Sequence, residues 1–181
     1  MTDCHKIFRI ETDRLILREW RPGDFDSFAV MNADPEVMRF FPAVLTKEAS
    51  DDFARRIIAE MDAKGYGLFA VELKSTGEFI GYTGLHEVSF DVGFKGAVEI
   101  GWRLDKCHWN NGYATEAAKA VLNFACEIGL KVVYSFTATF NAPSERVMQK
   151  IGMTKIGEFD HPSLAPSHRL CRHVLYSTCE L

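Results

Sequence analysis

The sequence predicts a mixed α/β fold, and three observations carry that expectation. Residues 67–73 and 78–85 read as two strands joined through Ser75-Thr76-Gly77, a hairpin signal. Helical patterns precede this hairpin. After residue 97 the apolar period alternates between two and 3.6, in the order strand, helix, strand, helix, strand. Helices followed by a central hairpin and then alternating elements describe a mixed sheet with helices on its faces.

Taken in order, Arg14-Leu-Ile-Leu-Arg-Glu-Trp20 reads as a strand running into a Pro22-Gly23 turn. Asp24 heads a short helix with Phe25, Phe28, Ala29 and Met31 as its apolar residues. Asp34-Pro35 repeats a helix-start signal, with Asp as N-cap and Pro at the first helical position. From Thr46 to Lys64, Phe53, Ala54, Ile57, Ile58 and Met61 mark one helical face, and Gly65 ends it. Beyond the hairpin, Val98, Ile100, Trp102 and Leu104 alternate with Glu99, Gly101 and Arg103. Residues 113–128 return to helical period through Ala114, Ala117, Ala118, Val121, Leu122 and Ala125. A strand over 131–138, a helix over 144–151 and a final strand over about 170–178 complete the pattern.

At 181 residues the chain is expected to form a single domain, 1–181, able to bury roughly 70% of its unfolded surface. The composition, 47% apolar with 25% charged residues, is that of a globular protein. No apolar run approaches the ~18 residues of a membrane span, and the first residues lack a signal-peptide plan. The formal charge of −4 argues against a dedicated nucleic-acid binder. Residues 1–100 carry 12 Lys/Arg against 18 Asp/Glu, whereas 101–181 carry 9 against 7. That asymmetry fits a cation-tolerant mouth in the first half and an anion site in the second, or chance on a solvated surface. Cys4, Cys107, Cys126, Cys171 and Cys179 show no C-x-x-C pair, so reduced thiols in a cytoplasmic protein are expected. Cys171 with His161, His168 and His173 suits no compact zinc pattern, and no metal is expected.

Residues 99–116, Glu-Ile-Gly-Trp-Arg-Leu-Asp-Lys-Cys-His-Trp-Asn-Asn-Gly-Tyr-Ala-Thr-Glu, carry the most chemical information. A strand ends at Leu104, a polar loop follows, and a helix opens just after Gly112. A helix N-terminus leaves backbone N–H groups unpaired and carries about half a positive charge, which suits phosphate. Asn110, Asn111 and Gly112 tolerate positive φ, so successive N–H groups can point inward. Small Ala114 allows close approach to the first turn. The loop has neither the Gly-Lys-Ser/Thr of a Walker loop nor a Gly-x-Gly-x-x-Gly fingerprint. An ordinary strand-to-helix turn with glycine at its bend fits the same residues.

Gly112 and Ala114 stand in the fixed places of the signature Arg/Gln-x-x-Gly-x-Gly/Ala, extended by Tyr113, Thr115 and Glu116. Thr12-Asp-Arg-Leu-Ile-Leu-Arg, Asp34-Pro-Glu-Val-Met-Arg-Phe, Glu99-Ile-Gly-Trp and Asn141-Ala-Pro-Ser-Glu-Arg-Val-Met-Gln-Lys-Ile-Gly-Met supply further landmarks in order. From about Thr12 to Tyr176 the chain resembles a GNAT-superfamily N-acetyltransferase of the RimJ/RimL type.

The resemblance implies a mostly antiparallel mixed sheet, splayed open between the 97–104 and 131–138 strands and flanked by helices. Acetyl-CoA would lie in the splay as cosubstrate, with no metal. Its pantetheine would hydrogen-bond the backbone of Trp102, Arg103 and Leu104. Its pyrophosphate would sit on the loop of Trp109, Asn110, Asn111, Gly112, Tyr113, Ala114 and Thr115. Asn141 would touch the pantetheine arm and Ser144 would lie near the thiol, while Arg146 or Lys150 would meet the adenosine phosphates or remain solvated. The sequence departs from the family at three points: Trp109 in the Arg/Gln place, Asn110 where Gly is common, and Met148 where many members place a Tyr general acid.

Acyl transfer to an amine needs a neutral nucleophile, a polarised thioester carbonyl and a proton for the leaving thiolate. Glu99 matches the strand carboxylate that serves related acetyltransferases as general base; the alternative is an edge carboxylate paired with Arg103. A backbone N–H near Trp102 would help the oxyanion. Ser144 is the surviving hydroxyl near the leaving thiol by family position, and also a candidate helix cap. Tyr113 and Tyr176 are weaker proton donors; His86 and His108 fall on no matched catalytic position, and Glu116 is expected to serve the helix dipole. Trp20, Trp102, Phe40 and Phe41 are expected in the core or the acceptor walls, with loops 86–96 and 159–169 on the acceptor side. The acceptor is a protein N-terminal or small-molecule amine, nucleic acid and membrane are not expected partners, and the protein is a monomer or homodimer. An acyl-CoA-binding module without turnover is the competing expectation.

Overall fold

The computed structural model describes residues 9–90, 93 and 96–179; Cys4 and part of the 86–96 loop lie outside them. The chain runs through β1 (Arg9–Glu11), β2 (Leu15–Arg18), α1 (Asp24–Ala33), a 3-10 turn (Val37–Phe40), α2 (Lys47–Lys64), β3 (Leu68–Leu73) and β4 (Phe79–Glu87). It continues through β5 (Val98–Leu104), a 3-10 turn (Lys106–His108), α3 (Tyr113–Glu127), β6 (Tyr134–Ala138), α4 (Ala142–Lys150), β7 (Thr154–Asp160) and β8 (Arg172–Ser177). The strands form one sheet in the order β1-β2-β3-β4-β5-β6-β8-β7. Among the described residues only β5 and β6 pair in parallel; the other neighbours are antiparallel. This is the mixed, mostly antiparallel α/β sheet with flanking helices that the sequence predicts.

The local signals explain most boundaries. Thr46 caps α2 by accepting the Ala49 N–H, and Gly65 closes the helix in the left-handed conformation. Ala117, Ala118, Val121, Leu122 and Ala125 bury one stripe of α3 against the sheet, where Phe124 meets Phe69 edge-on at 5.6 Å. The opposite face carries α1 and α2, and Phe28 and Trp20 pack there with ring centroids 4.8 Å apart. A buried ion network holds α1 to this face: Arg18 donates to both oxygens of Asp24 and to Glu72.

Five elements differ from the sequence reading. Asp34-Pro35 opens only one 3-10 turn, because Pro42 favours extended backbone at Phe41 and ends the run. Strands β1 and β7 lie at the two sheet edges, and their mostly polar, exposed residues carry no apolar alternation to announce them. The 131–138 strand begins at Tyr134, since Val133 is tied instead to Thr178 through the hydroxyl at 3.0 Å. Helix α4 starts at Ala142, with Asn141 as its cap.

One face of β5 organises the site. The register pairs Tyr82 with Arg103, Gly84 with Gly101 and His86 with Glu99 across β4 and β5. These positions face α1 and α2, while Val98, Ile100 and Leu104 join the core beneath α3.

Candidate active site

The sheet opens between β5 and β6. Their parallel register includes only Glu99 opposite Tyr134, after which the strands diverge. At the fork the Ser135 hydroxyl donates to the Ile100 carbonyl at 2.9 Å. The Asp105 N–H is turned toward β4, where it donates to Ile80 at 2.9 Å. Two-residue alternation therefore turns the backbone of Trp102 and Leu104 toward the opening. Trp102 offers both an N–H and a carbonyl there. Leu104 offers only its N–H, because its carbonyl accepts the Trp109 indole N–H at 2.8 Å.

At the end of β5 the chain folds into a cradle whose backbone N–H groups suit an anion. Asn110 (φ 63°) and Gly112 (φ 80°) both take positive φ, turning the chain twice within three residues. Helix α3 begins after Gly112 with no side-chain cap, so its first N–H groups stay available. The loop is held from behind. Arg14 Nη1 donates to the Asn111 carbonyl at 3.0 Å, its guanidinium lies 4.6 Å from the Tyr113 ring centroid, and Nη2 pairs with Glu116 at 2.7 Å. Burial acts to raise the Glu116 pKa, but hydrogen bonds from Thr12 and Arg14 outweigh it and hold the group below the usual range. Glu116 thus ties the loop to the β1–β2 hairpin, a larger task than the helix-dipole role its position suggested.

The fork and the cradle line one cleft of about 810 Å³. Its wall includes Trp102, Arg103, Leu104, Trp109, Asn110, Gly112, Tyr113, Ala114, Thr115, Asn141 and Ser144, with Arg146 and Lys150 on α4. Asn111 is not part of the wall: its amide turns back on the His108 and Trp109 carbonyls. Asn141 is largely committed, accepting the Ser144 N–H as helix cap and donating to Thr137. Ser144 is consequently not the cap and reaches the cleft from the first turn of α4. Met148 is fully buried and has no proton to give. Tyr176, also buried, donates to Glu145 at 2.8 Å.

The side chain of Trp109 has a different use from that of an Arg or Gln. Its ring lies 4.8 Å below the Arg39 guanidinium, and Phe40 meets Phe140 at 5.6 Å. Arg169 donates to the Arg39 carbonyl at 2.6 Å. The first 3-10 turn therefore bridges the cleft, from the loop before α3 to the segments after β6 and before β8.

On the other side of the fork the cleft widens among Phe41, Phe53, Tyr82, His86, Phe136, His161 and His173. No local pattern singles out Phe53, Tyr82, Phe136 or His173 for this wall, because they lie on four separate elements, α2, β4, β6 and β8; His161 belongs to the 159–169 loop expected on this side. His86 could have been found from its register position opposite Glu99; it contacts Glu60 at 2.9 Å. Burial, aided by the His173 ring 5.1 Å away, lowers the His161 pKa. Burial likewise lowers that of His173.

Glu99 stands at the junction of the two sides. It does not pair with Arg103, whose Nη1 donates to Asn32 on α1 at 2.5 Å. Burial, with a contribution from the Glu60 carboxylate, pushes the Glu99 pKa up to about 8. Glu60 itself stays ionised: burial opposes this, but Lys64 and His86 hold its pKa below the usual range. A partly buried acid titrating near 8 can accept a proton from an ammonium without being a permanent buried charge.

The same shift predicts a stability signature. A folded-state pKa above the ordinary value of 4.5 means that the folded protein binds the extra proton between pH 4.5 and about 8. The associated stability is present below that window and is lost as pH rises through it. Glu99→Gln is therefore expected to match wild type in Tm near pH 4.5 and to exceed it by several degrees at pH 9. Thermal unfolding of both proteins across this range checks it; a constant difference would place the Glu99 carboxyl in ordinary solvent.

Comparison with known proteins agrees with this architecture. The acetyltransferase (GNAT) domain family matches residues 14–154. The uncharacterised N-acetyltransferase YnaD of Bacillus subtilis is 33% identical over 152 residues, covering 83% of this chain and 85% of its own. The crystal structure of a GNAT-family acetyltransferase from Bacillus anthracis superposes with a TM-score of 0.79 at 27% identity, over 95% of this chain and 98% of its own. The RimL ribosomal L7/L12 α-N-protein acetyltransferase, solved in complex with coenzyme A, shares the fold at 14% identity, with a TM-score of 0.77 over 96% of this chain and 98% of its own.

Proposed function

The chain belongs to the GNAT acetyltransferase family, an acetyl-CoA-dependent N-acyltransferase, and from that premise we propose that it acetylates a primary amine by direct attack within a ternary complex. The observation that carries this reading is the fork after Glu99. It opens unpaired strand backbone and an uncapped helix N-terminus to one cleft, with a titratable carboxyl at the far end. Pantetheine extends along Trp102–Leu104 as a substitute strand, and the pyrophosphate rests on the N–H groups from Gly112 to Thr115. Arg146 and Lys150 answer the remaining phosphate charge.

The acceptor nitrogen attacks the thioester carbonyl, a backbone N–H at the fork steadies the oxyanion, and the C–S bond breaks as the amide forms. Glu99 takes the proton released by the nitrogen, and the Ser144 hydroxyl donates a hydrogen bond to the leaving thiolate, which then takes its proton from solvent. The acceptor is a protein N-terminal amine or a small-molecule amine. The Thr12–Arg18 and Asp34–Phe40 landmarks, together with the shared RimL fold, favour the RimJ/RimL branch.

Acetyl-CoA at a hundredfold excess over Kd is expected to stabilise the folded protein by about 2.7 kcal/mol. That corresponds to roughly 5–10 °C in Tm for a chain of this size, with NAD and ATP giving much less at equal concentration. Thermal shift, followed by release of free CoA thiol across a panel of amines, measures both halves of the reading. A folded protein indifferent to every CoA ester would remove the cleft as a coenzyme site.

A further inference from the structure

Arg103 is only 7% exposed, yet no ion pair to it exists among the described residues. Its Nη1 is taken by the neutral Asn32 amide oxygen, and its buried Nε has no hydrogen-bond partner. The guanidinium lies 3.9 Å from the Phe41 ring centroid, with Tyr82 at 5.4 Å and Phe53 at 5.8 Å. These rings offer quadrupole attraction but no negative charge. A buried guanidinium in this state lacks the counter-ion that such groups ordinarily carry.

The missing charge has a place from which to come. Arg103 lines the cleft on the same strand face as Glu99, with Gly101 between them. A Cβ built on Gly101 would meet nothing within 4 Å, so the floor between acid and base is open. Glu99, a carboxyl that the neighbouring Glu60 carboxylate helps to keep protonated, marks the proton-accepting end of this trough, and Arg103 its positive end. Four residues of strand separate the two ends by roughly 13 Å at the backbone. That spacing fits a charge pair several bonds apart better than an α-amino acid's adjacent groups.

We propose that Arg103 is a specificity-determining residue for the acceptor: the amine that this enzyme acetylates carries a carboxylate several bonds away, which seats on the Arg103 guanidinium while the amine lies at Glu99. The proposal rests on the acetyl-transfer reading of the cleft. Asn32, anchored by its donation to Ser50 at 2.8 Å, positions the guanidinium. The ring faces around it supply no anion, which makes an acceptor lacking the carboxylate a poorer occupant.

The test compares matched amines, 6-aminohexanoate with hexylamine and lysine with 1,5-diaminopentane, by release of CoA thiol. In wild type the carboxylated member of each pair is expected to have at least tenfold higher kcat/KM, and Arg103→Met to bring the ratio close to one. Because loss of Arg103 also disturbs packing, Asn32→Asp provides a second variant. It gives the guanidinium an internal carboxylate, and is expected to raise Tm while lowering the preference. Short peptides with Glu or Gln after an N-terminal Ala distinguish a peptide side chain from a free zwitterion as the source of the carboxylate. Turnover in wild type without preference in any pair, peptides included, overturns the proposal alone, as does a preference unchanged in both variants. No turnover with any amine overturns the acetyl-transfer reading, and the proposal falls with it.

Discussion

Glu99→Gln is expected to lower kcat/KM by about 10²–10⁴ for an acceptor amine of high pKa, while leaving acetyl-CoA affinity nearly unchanged. A Lys-like amine near pKa 10.4 is only about one part in a thousand neutral at pH 7, so proton removal limits its attack. With the carboxyl titrating near 8, the wild-type rate should rise with pH up to about that value, because only the ionised form accepts a proton. The Gln variant should lack this limb and retain only the titration of the amine. Its deficit should therefore shrink at high pH and be smaller for an α-amine near pKa 8. Steady-state profiles from pH 6 to 10 for the two proteins resolve these cases; a Gln variant matching wild type throughout would leave Glu99 with no part in proton transfer.

Gly112→Val is expected to weaken CoA binding tenfold or more, about 1.4 kcal/mol. Space is not the obstacle, since the nearest atom to an added Cβ is Arg14 Nη2 at 3.5 Å. The obstacle is the backbone. At φ 80° a β-branched residue is strongly disfavoured, and relaxing that angle turns the first N–H groups of α3 away from the pyrophosphate. Calorimetric titration with CoA measures the loss, and circular dichroism verifies that the variant is folded. Unchanged affinity in a folded variant would move the pyrophosphate off this loop.

The elements legible in the sequence share a physical property: each announces itself within a few residues. Thr46 and Gly65 bracket α2 through local hydrogen bonds and one left-handed residue. The cradle was legible for the same reason, because Asn110, Gly112 and the start of α3 form a local conformational pattern. Glu99 was legible as an odd member of an alternating strand. Edge strands β1 and β7 were not, since an edge that faces water has no apolar period to show. The helical reading of Asp34-Pro35 failed because the cap signal was present but Pro42, eight residues after Asp34, left room for only one short turn.

Most of the wall beyond the fork was decided by tertiary structure. Arg103 was expected to offer its backbone, or to pair with Glu99; α1 instead delivers Asn32 to its guanidinium, and the β4–β5 register sets Tyr82 beside it. Phe41, Phe53, Phe136 and His173 belong to elements far apart in the chain and meet only when the sheet and its helices assemble. The sequence by itself determined the conformation of the loop before α3, because an array of free backbone N–H groups depends on local φ and on where a helix begins. The charge state of Glu99 and the missing partner of Arg103 depend on desolvation and on neighbours supplied by other elements, and only the packed fold creates either.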